Sequence, residues 1–334
     1  MKNPNENLTI VKGATLTPPI IGRITMGHAK QRTDGKDGAL PQKDDHFAIT
    51  TLVQNSDRSW PEHSLHKQYL GDKRKIESIP VRIAYDSMRL NITNRYSVFV
   101  TTGTEVGRTL CSGDGEKARR VTEDGMKTID CPRPEACEYG TRNRCKSLTR
   151  AYFQIEGQND PMGVFILRTS GKATRDYLVE KLSQWHGGTR GKLAGMPLML
   201  NIKVKSSSQS MRKPYWYADL DLRPDMDLFQ TIAEMNAYRG RLEEAGFSQD
   251  GMETAMLAGL DNSDFADEVE DIDEWFSDDG LLQAATQNLQ RTGLRGLDSL
   301  KQTVQPASED GKGEAALAAD APAATGGADL KVAA

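Results

Sequence analysis

Apolar and polar positions alternate with a period of two along several stretches of the chain. Ile79, Val81, Ile83 and Tyr85 fall on one side, with Pro80, Arg82 and Ala84 on the other, the pattern of a half-buried strand. Pro80 puts that strand at an edge or makes it begin there. Leu198, Leu200, Ile202 and Val204 repeat the pattern, with Lys203 and Lys205 facing away, and Trp216, Ala218, Leu220 and Leu222 form the apolar side of a last strand. Residues 47–53 and 96–100 read as further strands. Residues 152–155 and 163–167 read as a hairpin around the turn sequence Gln158-Asn159-Asp160-Pro161. Residues 1–24 are partly extended, and Pro18 and Pro19 exclude a helix there. Residues 27–45 are polar and glycine-rich and read as a loop.

A 3.6-residue period appears later. Leu178, Leu182 and Trp185 make one stripe over residues 174–185, with Thr174 as a cap and Gly187-Gly188 as the stop. Residues 225–247 carry Leu228, Ile232, Met235 and Leu242 in the same manner. Residues 281–304 suit one more helix. Residues 305–334, rich in Ala, Gly, Asp and Pro, read as disordered. The expected fold is α+β. It has a mainly antiparallel sheet body over 1–223, an acidic and partly helical segment over 224–304, and a disordered tail over 305–334.

Composition changes this picture at one place. All four cysteines of the 334-residue chain, Cys111, Cys131, Cys137 and Cys145, lie in one short polar region. Four thiols gathered in this way suit a tetrahedral zinc site with a structural role. The gaps between them are nineteen, five and seven residues, with no Cys-x-x-Cys pair. Pro132 and Pro134 stiffen the shortest gap, and Gly113, Gly115 and Gly140 allow turns. Two disulfides or four buried free thiols are the alternatives. The first needs an oxidising compartment and the second apolar surroundings. The expectation is a zinc loop over 111–145, inserted between strands of one sheet.

Charge divides the chain. Residues 1–223 hold 36 basic and 24 acidic side chains, a net +12, and residues 224–334 hold 7 and 23, a net −16. A basic body with an acidic tail suits a protein that handles nucleic acid or nucleoprotein. Arg119, Arg120, Arg133, Arg142, Arg144, Lys146 and Arg150 crowd the cysteine region as a basic knob able to hold phosphate oxygens or a partner protein. Lys203, Lys205, Arg212 and Lys213, with Tyr215, form a second basic and aromatic patch suited to single-stranded DNA. For each patch, a solvated rim is the plain alternative. Residues 261–280 hold ten acids around Trp275 and Phe276, a composition suited to docking on a basic surface and equally to a spacer.

Catalytic signatures are sparse. No nucleophile elbow, complete phosphate loop or His-Glu-x-x-His is present. His63 and His66 read as surface residues. Asp219 and Asp221, two apart on one strand face, offer a Mg²⁺ pair for a metal-dependent hydrolase, though a wet strand face is the commoner origin of such a pair. No apolar run approaches membrane-spanning length, and the first residues lack the apolar core of a signal peptide, so a cytoplasmic protein is expected.

The opening Leu8-Thr9-Ile10-Val11-Lys12-Gly13, the strand Ser78-Ile79-Pro80-Val81-Arg82 and Leu110-Cys111-Ser112-Gly113-Asp114-Gly115 carry a family resemblance. Cys131-Pro132-Arg133-Pro134, Cys137, Gly140, Cys145-Lys146 and Phe165-Ile166-Leu167-Arg168-Thr169-Ser170-Gly171 continue it. Over roughly residues 5–223 the chain resembles the recombination-directionality-factor-like family of phages and integrative elements. Some members are similar to the phage factor that binds a large serine integrase and turns it from integration to excision; others are labelled only as hydrolase or metal-binding proteins. The resemblance implies a non-enzymatic accessory role in DNA recombination, with a serine integrase and DNA as partners. It does not extend to the acidic tail.

Overall fold

The computed structural model describes residues 17–31, 39–53, 55, 59–100, 108–208 and 210–260. Eleven strands and seven helices occur among them. In chain order they are β1 (Ile20–Gln31), β2 (Ala39–Thr50), α1 (Ser64–Leu70), β3 (Ser78–Arg82), α2 (Met88–Asn91), β4 (Ile92–Phe99), β5 (Thr109–Gly113), β6 (Lys117–Thr122) and β7 (Gly125–Asp130). There follow α3 (Arg133–Ala136), α4 (Glu138–Arg142), β8 (Lys146–Ile155), β9 (Val164–Thr169), α5 (Lys172–Gly188), β10 (Pro197–Lys205), β11 (Tyr215–Asp221), α6 (Leu228–Glu244) and α7 (Gln249–Leu260).

The strands form one sheet in the order β11-β10-β3-β8-β4-β5-β6-β7. Strand β8 also pairs with β9, which pairs with β1, and β1 with β2. Only β1 and β9 run parallel; the other pairings are antiparallel. The protein is therefore a mixed α+β fold around a large, mostly antiparallel sheet.

The alternating strands bury the residues their period selects. Ile79, Val81, Ile83, Leu198, Leu200, Ala218 and Leu220 join Phe47, Ile49, Phe153, Phe165, Leu178 and Leu182 in the main core. Helix α5 begins two residues earlier than its expected cap. Gly171 holds the cap position without a side-chain bond. Thr174 instead lies fully inside, where its Oγ1 accepts the Ala218 N–H at 3.1 Å. That contact satisfies an amide on β11, a strand paired only with β10.

Two expected loops are strands. Residues 27–45 lie largely in the β1–β2 ladder, which keeps register from Gly27↔Lys43 to Gln31↔Ala39. Backbone pairing forms this ladder without any apolar alternation to announce it. The cysteine region is likewise strand-rich, because β5, β6 and β7 extend the sheet beyond β4. The region is an insertion as expected: β4 and β8, on either side of it in sequence, are neighbours in the sheet.

Helices α6 and α7 pack on the body through buried ion pairs and a second apolar cluster. Asp86 accepts from the Leu193 and Ala194 amides at 2.7 and 2.8 Å and from Arg239 on α6 at 2.8 Å. Glu253 on α7 accepts from the Asp86 and Ser87 amides, each at 2.7 Å. Met252, Met256, Leu257 and Leu260 cover Tyr85, Leu90, Tyr152, Val164 and Ile166. The first part of the extended stretch expected over 1–24, the acidic segment with Trp275 and Phe276, the helix at 281–304 and the tail lie outside the described residues.

Candidate functional site: the cysteine lobe

Strands β5 to β7 and helices α3 and α4 make a lobe with its own small core. Val98, Cys111 and Ala118 are buried there, with Leu110, Ile129, Cys131, Tyr139 and Cys145 packed around them. Three of the four cysteines thus sit in apolar company, which the charged sequence on either side conceals. Cys111 stands on β5 directly across from Arg120 on β6. Cys131 follows β7, its amide bonded to the Glu116 carbonyl at 2.8 Å. Cys137 both ends α3 and caps α4, and its Sγ accepts the Gly140 N–H at 3.2 Å. Cys145 returns the chain to β8, its amide bonded to the Gly140 carbonyl at 2.8 Å.

Two glycines are there for space. A Cβ on Gly113 would lie 2.8 Å from the Cys131 sulfur, and a Cβ on Gly140 would lie 3.0 Å from Cys145 Cβ and 3.2 Å from Cys137 Cβ. The first approach, with Ala118 Cβ also at 2.7 Å, is closer than a carbon tolerates, and the second requires the neighbouring cysteines to give by a few tenths of an ångström. Gly115, by contrast, supplies a turn at φ +104°.

The thiols influence one another. Burial, then the neighbouring Cys111, Cys131 and Cys137, push the Cys145 thiol up to about 12. Burial also raises Cys111, and Arg120 works against that rise. Cys145 thus lies within electrostatic range of the other three thiols. Among the described residues, however, no three or more His, Cys, Asp or Glu side chains stand as a group that could hold a metal ion. The donor set matches zinc in kind, but the sulfurs are not drawn into a coordination shell.

The expected basic knob is only partly outward. The Arg120 guanidinium faces inward, 3.9 Å from the Tyr139 ring centre and with Nη2 3.7 Å from Cys137 Sγ. Lys146 is half-buried, and desolvation, then repulsion from Arg144, lowers its pKa. Arg119, Arg144 and Arg150 are half-buried as well. Arg142 is exposed and pairs with Glu138 one turn back. Arg133 is exposed beside Gly115.

The second patch is largely satisfied internally. Lys203 Nζ lies 2.8 Å from Asp219 Oδ2 and 2.8 Å from Asp221. It lies between the two carboxylates of the expected Mg²⁺ pair. Asp219 is 2% exposed and does not lie on a wet face. Lys205 sits over Tyr177, Tyr217 and Tyr215 at 4.5, 5.2 and 5.8 Å, and Tyr177 stacks on Tyr217. Arg212 and Lys213 remain exposed on the turn before β11.

The histidines are structural. Buried His66 accepts the Ile49 N–H on Nδ1 at 3.1 Å, and His63 accepts the Leu65 N–H as the cap of α1. Arg120, Asp86, Arg239 and Glu253 act through long-range pairings that local sequence does not signal. A single charge inside a polar run gives no sign that it faces inward.

The described residues thus form a large, mostly antiparallel sheet that carries a cysteine-bearing lobe, with a lysine set between the paired aspartates of its last strand. The model of the Gp3-like, recombination directionality factor-like family matches residues 21–223, and the chain belongs to this family. That span runs from the first described strand to just past β11 and includes the whole lobe. No curated protein and no solved structure matches the chain. Among the described residues no helix is long and apolar enough to cross a membrane.

Proposed function

We propose that this protein is a directionality factor that binds a serine integrase on DNA and shifts it from integration toward excision. It does so with the cysteine lobe as its recognition element and zinc as a structural component of that lobe. Family membership over residues 21–223 carries the reading. Such a factor needs no chemistry of its own. A protein that binds one synaptic assembly more tightly than another moves the balance by its differential affinity.

The lobe suits recognition because it projects two short helices and a two-stranded ribbon from the end of the sheet. Zinc on Cys111, Cys131, Cys137 and Cys145 would fix their relative positions, a role metal fills where the apolar core is as small as this one. Arg133 and Arg142 on the lobe and Arg212 and Lys213 near β11 are among the exposed cations that could meet phosphate or an acidic partner.

The test is a purified recombination reaction with a serine integrase and its attachment-site DNA. Adding the chain should raise product from excision substrates and suppress product from integration substrates. It should also co-migrate with integrase–DNA complexes. A chain that leaves both reactions unchanged and does not join the complex would refute the reading.

A further inference from the structure

Four adjacent strands each place an arginine on the same face of the sheet. Strands β1, β9, β8 and β4 follow one another in pairing order. Arg150 on β8 stands directly across from Arg168 on β9. Arg23 on β1 lies beside Ile166, one side-chain repeat from Arg168, and Arg95 on β4 lies beside Leu148, one repeat from Arg150. Alternation puts all four on the side away from the main core. Ala151, Phe153, Phe165 and Leu167 point into that core, and Tyr152, Val164 and Ile166 point to the arginine side. Arg23 is buried and the other three are half-buried. Trp60 covers Arg23 at 3.9 Å, and Asp114 in the β5–β6 turn acts on Arg95. Like charges directly opposite one another destabilise a sheet, and a guanidinium taken from water stays charged. Such a row calls for anions above it.

Helix α7 leads to it. The helix packs on this face, and its last residue, Leu260, is buried in the cluster with Tyr152, Val164 and Ile166. Tyr152 and Ile166 are each two residues from an arginine of the row, about 7 Å along their strands. The segment that follows, residues 261–280, holds ten acids and no Lys or Arg. Adjacent strands are about 4.8 Å apart, so the row is about 15 Å wide. An extended chain spans about 3.4 Å per residue, so this segment crosses the row with length to spare.

We propose that the acidic segment 261–280 docks on the Arg23, Arg168, Arg150 and Arg95 row of its own chain. Charge complementarity and the place where α7 ends select this occupant over a separate partner. Each exposed ion pair contributes little. The tether at Leu260, however, holds the segment at an effective concentration of about 1 mM, so a weak contact is kept filled. One cationic face of the net +12 body is thereby covered from within. Neither an integrase nor zinc is needed for this.

The test uses the full chain in three forms at low salt. They are the wild type, a neutralised chain with all ten acids of 261–280 changed to amides (Asp→Asn, Glu→Gln), and the neutralised chain with Arg150→Gln and Arg168→Gln added. The probe is a fluorescein-labelled peptide of residues 261–280, followed by anisotropy. In the wild type the chain's own segment competes with it. A peptide that binds the vacated row at about 0.1 mM should therefore bind the neutralised chain about tenfold more tightly than the wild type. The added arginine changes should remove that gain. Equal binding to wild type and neutralised chain, or a gain that survives the arginine changes, would overturn the proposal. So would equal binding of a short DNA duplex by those two chains with no peptide bound, which would give the row to nucleic acid. If the arginine variant does not fold, a photo-crosslinker decides. Benzoylphenylalanine in place of Phe265 should mark β1, β4, β8 or β9 within one chain. Marks elsewhere in the body, or only between two chains, would overturn the proposal.

Discussion

Lys203 shows how one side chain holds two acidic neighbours. Its ammonium binds the 2%-exposed Asp219 and the half-buried Asp221, and Asn201 donates to Asp221 at 2.8 Å. Removing it by Lys203→Met leaves Asp219 without its cation in the interior. That should cost about 2–3 kcal/mol, short of a fully buried pair because Lys203 is itself partly exposed. The denaturant midpoint would report it, and an unchanged midpoint would show that the pair contributes nothing. The pH dependence follows from Asp221. Its carboxyl is partly desolvated, which raises its pKa, but the bonds from Lys203 and Asn201 prevail and hold it below 3.8. A depressed carboxyl contributes stability above its unfolded pKa and loses it as pH falls through the folded value. This contribution should therefore disappear below pH 3.8 in the wild type and be much smaller in Lys203→Met. Cys145 gives the opposite case. Its thiol is raised from 9.0 to about 12, so the metal-free protein should lose stability as pH rises from 9.0 toward 12. Cys145→Ala should flatten that alkaline decline.

At the scale of elements, visibility in sequence tracked the depth of burial. Strands β3, β10 and β11 and the β8–β9 hairpin each place one face in the main core, so their two-residue period stands out in the sequence. Strands β5 to β7 pack only a small cluster around Val98, Cys111 and Ala118, and the charges of Lys117, Arg119, Arg120 and Lys127 hide them. The polar halves of β1 and β2 are held by ladder bonds, which any residue but proline can make. In α6 the stripe is imperfect: Met235 is buried, but Leu228 is 44% exposed and lies in the first turn beyond the sheet. Helix α7 covers an apolar face and is tied down by Glu253, a contact no local pattern foretells. Glu253→Ala should free the Asp86 and Ser87 amides at about 2 kcal/mol. Amide exchange in residues 249–260 should then quicken by roughly thirtyfold while β8 and β9 stay protected. A uniform rise across the chain would show instead that α7 belongs to the same cooperative unit as the sheet.

For the molecule as a whole, the charge reading was correct in sum and too simple in detail. The net +12 of residues 1–223 is real. Yet Arg120, Lys203 and Lys205 are turned to sulfur, carboxylate and tyrosine rings, and Arg82 and Arg223 are spent on internal pairs with Glu156 and Glu234. Composition counts charges without saying which way they face. Fourteen cations of residues 1–223 are exposed among the described residues, but Lys75, Lys117, Lys127, Arg142 and Lys172 among them are paired with carboxylates, an arrangement better suited to assisting a DNA-bound partner than to gripping a long duplex alone. Binding to bare DNA should accordingly be weak and lost with added salt, as a mobility-shift titration at rising ionic strength would reveal. Tight, salt-resistant binding without integrase would contradict that expectation.

The lobe leaves and rejoins the sheet through adjacent doors. Ser97 and Lys146 face each other across β4 and β8, so the 48 residues between them form a detachable cassette on an ordinary hairpin. Joining those two residues with Asn-Gly, a natural two-residue turn, should leave a body that still melts cooperatively and, on the function proposed above, no longer joins integrase–DNA complexes. The same doorway would let the lobe be lengthened, shortened or exchanged without rebuilding the frame that carries it.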